Sequence, residues 1–393
     1  MVMKNRWLLP EGIEEILPPE AGRLEDLCRR IIDLYKSWGY QLVMPPLIEF
    51  LDSLLTGTGE DLDLQTFKLT DQLSGRLLGV RADTTPQVAR IDARNLKQTA
   101  PARLCYLGTV LHTRPENHGG SRSLLQVGAE LYGHRGRESD VEVLCLMLET
   151  LKLAQVNEVL VDVGHVGIYQ GLARQAGLTD GQEMELFNVL QRKAGAELRE
   201  LIKAWALPKK TGDMLLYLID AIGDQSIFRE AGKYLAAASG EVKRCLKELQ
   251  TVAKQVQKRI PAAPLHFDLA ELRGYHYHTG IVFAAYVPGT GQGIAYGGRY
   301  DDIGSAFGRA RPATGFSTDI KTLLASSSLQ AEQQNGIFAP CKDDPKLLKL
   351  IDKLRRNGEI VITQLPGQKG DAKTMGCDRK LVSRQGRWQV VKL

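Results

Sequence analysis

No two of the six cysteines (Cys28, Cys105, Cys145, Cys245, Cys341 and Cys377) form a CxxC pair, and the seven histidines do not fall at metal-ligand spacings. Neither a disulfide framework nor a zinc site is indicated, and a reducing cytoplasm is the expected setting. No apolar run is long enough to span a membrane. The opening MVMKNRWLLPEGIEEILPPE turns acidic and Pro-rich with no extended apolar core or small-residue cleavage site, so no signal peptide is expected. The Gly-rich stretch GTGQGIAYGG lacks the Lys-Ser/Thr of a P-loop and opens no helix, which favours a tight hairpin over a phosphate loop. Asp301 and Asp302 have no third metal ligand nearby, and a solvated turn is expected there. No nucleophile elbow is readable.

What is present is a chain of 393 residues, 43% hydrophobic and 25% charged, the balance of a soluble globular protein of two or three domains. The net charge of +5 is uneven. Residues 336–393 hold 13 Lys+Arg against 6 Asp+Glu. Such a surplus suits nucleic acid or an acidic partner, and equally a solvated surface.

Periodicity predicts a helix over 20–38, with Leu24, Leu27, Cys28, Ile31 and Tyr35 on one stripe and Gly39 as its stop. A strand over 40–44 ends at Pro45-Pro46. Residues 66–70 and 76–80 form a hairpin. Thr84-Thr85-Pro86 opens a helix running to about Arg94. Strands follow over 103–111 and 124–132, joined by a long loop, then a helix over 139–153 and a strand over 159–163. Helix followed by antiparallel strands predicts an α+β fold rather than a doubly wound one. Residues 168–258 carry helical spacing and form a helical insertion between core segments 1–167 and 259–326. Strand patterning resumes over 265–287. A polar linker (327–335) leads to a small α/β unit over 336–393.

The window LRGYHYHTGIVF (272–283) places an Arg beside alternating Tyr and His. As a strand it would put Tyr275 and Tyr277 on one face and His276 and His278 on the other. Polar-tipped rings beside an Arg suit a small planar, hydrogen-bonding ligand. They suit a half-buried strand equally well.

Taken in order, the PP-ended strand, VRADTTPQ, the long-loop hairpin, the helical insertion, RGYHYHTG, YGGRYDD and ATGF resemble the catalytic core of class II histidyl-tRNA synthetases over 6–326. RWLLPEGIEEILPPEA, VRADTTPQVARIDAR and RGYHYHTGIVF resemble more closely the synthetase paralogues that serve as regulatory subunits of ATP phosphoribosyltransferase. The fold implied is a class II synthetase-like antiparallel sheet flanked by helices, with residues 39–49 at a dimer interface.

Several residue roles follow from the resemblance. Aligning on Arg114-Pro115, Leu111 and Thr113 occupy the places of the Arg and Glu that hold ATP in the synthetase. Thr322 occupies the place of the arginine on the γ-phosphate, with Lys321 beside it. An apolar Leu cannot neutralise a phosphate. Activation of an amino acid with ATP is therefore not expected, and neither is any cofactor or metal. The amino-acid pocket implied consists of Asp83, Thr85, Gln126, Glu130, Arg273, Tyr277, His278 and Tyr300. Asp83 and Thr85 would take an α-ammonium, Arg273 a carboxylate, and Glu130 with Tyr277 the two nitrogens of an imidazole. His276 and His278 depart from the synthetase's Asp and Tyr. Singly, Gln126 and Glu130 can be edge-strand polar residues and Arg273 a structural pair.

The function implied is regulatory. The chain would dock, as a homodimer within a larger hetero-oligomer, on a short-form ATP phosphoribosyltransferase catalytic subunit, with L-histidine as effector. Two other readings stay open: a divergent histidyl-tRNA synthetase, and a tRNA-sensing protein using the basic tail. The tail is short for an anticodon-binding domain, which counts against both.

Overall fold

The computed structural model describes residues 7–57, 60–115, 120–275, 277–329 and 336–393. They divide into two compact units, 1–329 and 330–393.

The first unit is built on a nine-stranded sheet. Its order is Gln41–Leu42, Ala102–Leu111, Ser123–Tyr132, Ala313–Asp319, Gly293–Arg299, Ile281–Tyr286, Leu160–His165, Leu265–Asp268 and Ile222–Gly223. The pairings are antiparallel except those of Gln41–Leu42 with Ala102–Leu111 and of Leu160–His165 with Leu265–Asp268. Alternation sorts the side chains. Cys105, Val127, Ala129 and Leu131 join one buried cluster with the helices Glu20–Ser37 and Arg137–Leu153. Ala102, Leu104, Tyr106 and Tyr132 join a second cluster with Val88, Ala89 and Tyr300. The site lies against this second cluster.

The first helix ends as its glycine predicts. Gly39 takes φ +83, and the Tyr40 amide reaches back to the Tyr35 carbonyl at 3.0 Å, a Schellman-type closure. The helix opened by Pro86 spans Thr85–Arg90 and passes into a π-turn over Ile91–Leu96. Asp92 in that turn is buried against Arg311, with Nη1 at 2.8 Å. The predicted strand over 40–44 is shorter, because only Gln41 and Leu42 pair in register before Pro45. The insertion is a series of helices between Val166 and Arg259, and its one two-residue strand, Ile222–Gly223, extends the sheet.

LRGYHYHTG is not a strand. The Tyr275 amide turns back onto the Leu272 carbonyl and those of Tyr277 and His278 onto the Gly274 carbonyl, with Gly274 at φ +63, and pairing begins only at Ile281. Tyr275 therefore faces the insertion, edge-on to Tyr169 and hydrogen-bonded to Glu183. Tyr277 instead stacks on Tyr300 at 5.0 Å. The expected two-faced alternation is replaced by a divergence of the rings. His276 lies outside the described residues, as do 330–335 of the expected linker. Ser327, expected in that linker, bridges Val156 in the first unit.

The second unit is a four-stranded sheet, ordered Val361–Thr363, Gly336–Ala339, Cys377–Arg384 and Arg387–Lys392, with the helix Pro345–Arg356. Its core is Ile337, Ala339, Leu347, Ile351, Val361 and Leu381. Gln385 and Gly386, both at positive φ, make a two-residue hairpin turn.

Candidate functional site

The site is assembled by strand register. Glu130 faces Leu104 on one neighbouring strand and Gly315 on the other. Gln126, four residues earlier, shares Glu130's face and lies opposite Gly108 and Asp319. Gly128, between them, leaves room for the Tyr106 ring, and a Cβ at Gly315 would overlap Glu130 Oε2. These two glycines make space for a buried carboxylate in the middle of a sheet.

Glu130 is 1% exposed. It accepts hydrogen bonds from Tyr300 Oη, from Tyr106 Oη at 3.2 Å and from Thr85 Oγ1 at 3.3 Å. Burial pushes its carboxyl up to about 8, against the pull of those three hydroxyls and with a further push from Asp83. The folded protein thus holds a proton there that the unfolded chain releases near its ordinary value of about 4.3. Stability arising from this proton is complete below that value and is lost as pH rises through about 8. Relative to Glu130→Gln, wild-type stability is therefore expected to fall by about 2 kcal/mol between about pH 6 and pH 8. Urea titrations of both proteins across that range check this; a flat difference would mean that Glu130 ionises normally.

Asp83 Oδ1 accepts from Gln126 Nε2 at 2.7 Å and from the Thr85 amide at 3.2 Å. Gln126 Oε1 accepts from the Thr84 amide at 3.0 Å, which orients its side-chain amide. His278 Nδ1 lies 3.2 Å from the Arg299 carbonyl. A carbonyl only accepts, so Nδ1 carries the hydrogen and Nε2 offers its lone pair. Burial lowers the His278 pKa to about 4, which keeps the ring neutral. The Tyr277 hydroxyl is out of solvent and has no hydrogen-bond partner among the described residues.

A cavity of about 140 Å³ collects Asp83, Thr85, Glu130, Tyr277, His278 and Tyr300. These are six of the eight pocket residues expected from the sequence. The other two are placed differently. Gln126 lines a neighbouring cavity of about 390 Å³. Arg273 lines neither; its guanidinium lies over the rings of Tyr286 and Tyr296, at 5.5 and 4.9 Å. Tyr296 borders both cavities, so Arg273 adjoins the site through that ring. Tyr106, Tyr296 and Ser317 belong to the site and were not singled out from the sequence. Tyr106 alone had a signal, its place opposite Gly128 in the hairpin.

The positions expected from the resemblance to replace the synthetase's ATP contacts make other interactions. Leu111 ends its strand with its amide on the Arg81 carbonyl. Thr113 Oγ1 donates to the Leu64 carbonyl at 2.6 Å. Thr322 Oγ1 donates to Asp319 at 2.8 Å. Lys321 is held by Glu14 at 2.9 Å and by the Ser123 carbonyl at 2.5 Å. Arg299 is buried against Asp140 and reaches Asp301, whose Oδ1 also accepts from the Ala313 amide. Asp301 is thus a structural ligand of the Arg299 cluster rather than a solvated turn residue.

The family model for histidyl-tRNA synthetase matches residues 12–323, and that for the ATP phosphoribosyltransferase subunit HisZ C-terminal domain matches 334–391. A curated ATP phosphoribosyltransferase regulatory subunit from Thioalkalivibrio sulfidiphilus is 58% identical, with 100% of each chain covered. The chain belongs to this regulatory-subunit family. A second member, from Alkalilimnicola ehrlichii, is 55% identical over 97% of this chain and 96% of its own. Among solved structures, an ATP phosphoribosyltransferase regulatory subunit/histidyl-tRNA synthetase from Bacillus halodurans superposes with a TM-score of 0.84 at 29% identity, covering 94% of this chain and 96% of that one. Histidyl-tRNA synthetase from Nostoc sp. PCC 7120 has a TM-score of 0.78 at 18% identity, covering 96% and 91%, which shows the shared class II fold. Among the described residues no helix is long and apolar enough to cross a membrane.

Proposed function

We propose that this chain is a non-catalytic, cytoplasmic subunit that docks on a short-form ATP phosphoribosyltransferase catalytic subunit and relays histidine feedback to it. The observation that carries the reading is the contrast between two adjoining cavities. The smaller keeps a buried carboxyl, a Tyr277 hydroxyl without a partner among the described residues and a His278 acceptor, which complement an imidazole. The larger has no Lys or Arg in its lining to receive a triphosphate. Leu111, Thr113 and Thr322 supply no cation either. This contrast supports an amino-acid pocket that lacks the groups to activate its ligand.

A homodimer is supported by the 39–49 segment, where Leu42, Met44, Leu47 and Ile48 are exposed, Met44 by 81%. Feedback requires histidine to prefer one of two states of the complex. A tenfold change in partner rate corresponds to about 1.4 kcal/mol of such preference.

Co-purification with a short-form catalytic subunit tests the proposal. The expected result is a stable complex with a higher rate than the catalytic subunit alone, lowered by histidine. Histidine-dependent pyrophosphate–ATP exchange by the purified chain would reverse the reading in favour of a synthetase. Tight, steeply salt-dependent tRNA binding with no effect on the partner's rate would favour tRNA sensing.

A further inference from the structure

Tyr275 and Tyr277 are two residues apart and serve different parts of the fold. The Tyr277 ring lines the Glu130 pocket, stacked on Tyr300 at 5.0 Å and edge-on to His278 at 5.3 Å. Its hydroxyl has no hydrogen-bond partner among the described residues, so no polar contact inside the pocket fixes that ring. The Tyr275 ring goes the other way, into the helical insertion. It lies edge-on to Tyr169 at 5.0 Å and beside Phe187 at 5.5 Å, and its hydroxyl donates to Glu183.

The backbone joins the two rings tightly. The Gly274 carbonyl accepts from the Tyr277 and His278 amides, both at 2.8 Å. Gly274 takes φ +63, and a Cβ there would come within 2.6 Å of the His278 ring. Tyr275 therefore cannot shift far without carrying Tyr277 and His278. The turn is held on the core side by His278 Nδ1 against the Arg299 carbonyl and on the insertion side by Tyr275 against Glu183. Glu183 is itself fixed. It lies in the first turn of the helix Asp180–Gln191, which opens on a capping box of Thr179 and Gln182. Its carbonyl accepts from Tyr169 Oη at 2.6 Å, so one residue grips both rings of the edge-on pair.

We propose that Glu183 is a positioning residue for the ligand pocket, and that the helical insertion sets the place of Tyr277 and His278 through Tyr275. The proposal rests on the reading that the Glu130 pocket takes histidine. No residue of the insertion lines that pocket among those described, so Glu183 acts on the ligand through the turn and not by touching it. A ligand group that pairs with the Tyr277 hydroxyl needs that ring held in one place, and the Glu183–Tyr275 hydrogen bond supplies the hold that the pocket's own polar groups do not.

Isothermal titration of the full chain with L-histidine is the test. Tyr275→Phe keeps the ring beside Tyr169 and Phe187 and removes the hydroxyl, whereas Glu183→Leu removes the acceptor. Each is expected to weaken histidine about three- to tenfold. The double variant should bind no more weakly than either single one, because both remove the same contact. Glu183→Gln keeps an acceptor for the Tyr275 hydroxyl and should stay within about twofold of wild type, a rescue that a role in helix packing would not produce. The proposal is overturned by unchanged affinity in Tyr275→Phe, by effects that multiply in the double variant, or by a loss in Glu183→Gln as large as that in Glu183→Leu. Absence of histidine binding by the wild type overturns the pocket reading and the proposal with it, whereas wild-type binding that the variants leave unmoved overturns the proposal alone.

Discussion

Asp140→Ala is expected to cost about 3–5 kcal/mol of folding stability, the cost of leaving a buried guanidinium without its main counter-charge. The Asp140 side chain is 0% exposed and that of Arg299 is 6%. Arg299 Nη2 sits 2.9 Å from Asp140 Oδ2, and Nε sits 3.2 Å from the same oxygen. The remaining partners are weaker: Ser139 Oγ, two carbonyls and Asp301, whose side chain is 31% exposed. Solvent screens Asp301 more than Asp140, so Asp301 cannot replace it. The pair also holds the site. The Arg299 carbonyl accepts from the Thr279 amide at 2.8 Å and from His278 Nδ1. Guanidinium chloride unfolding of wild type and variant measures the loss. A shift below about 1 kcal/mol would mean that water reaches Arg299 and that the pair is not a buried one. Replacing both partners with apolar residues (Asp140→Leu with Arg299→Met) should recover part of the loss, since the charge and its desolvation leave together.

Glu130→Gln is expected to raise the histidine concentration needed to inhibit the assembled enzyme by about 10- to 100-fold. Glu130 is 1% exposed, and it anchors Tyr300, Tyr106 and Thr85 together. The protonated carboxyl keeps two oxygens that can accept, whereas a Gln of the same shape offers one acceptor and an –NH2 that only donates. At least one hydroxyl then loses its partner, and the imidazole loses the carboxyl. A buried polar group left unpaired costs about 1–3 kcal/mol, which corresponds to that range of affinity. Arg273→Ala should shift the response only a few-fold, because Arg273 is exposed and acts through the Tyr296 ring. Complex formation without histidine should be unchanged in both variants. If Arg273→Ala has the larger effect, the ligand carboxylate sits at the rim. If neither variant moves the response, histidine binds elsewhere in the assembly.

Much of the fold was legible because its signals are local. The apolar stripe from Leu24 to Tyr35 determined a helix, and Gly39 its end. Thr85-Pro86 determined where the next helix begins. Long alternating segments such as Ala102–Leu111 and Ser123–Tyr132 were readable within a residue of their bounds. The failures share one cause. Tyr, His and Thr crowded in LRGYHYHTG satisfy a strand pattern, yet Gly274 at positive φ turns the backbone before any neighbour can pair with it. Short strands such as Gln41–Leu42 depend on a partner far away in sequence, so their extent has no local signature.

By itself, the sequence determined the class II scaffold, the appended C-terminal unit and the residue types gathered around Glu130. The resemblance further implied that Leu111, Thr113 and Thr322 stand where the synthetase carries charged side chains. Only the tertiary structure decided which of those residues share a cavity. It drew Asp83, Thr85, Glu130, Tyr277, His278 and Tyr300 together, moved Gln126 to the neighbouring cavity and left Arg273 outside both. The physical reason is register. Whether two side chains meet across a sheet depends on how non-adjacent strands align, and here Gly128 and Gly315 leave the space in which a buried carboxylate and its three hydroxyl donors fit.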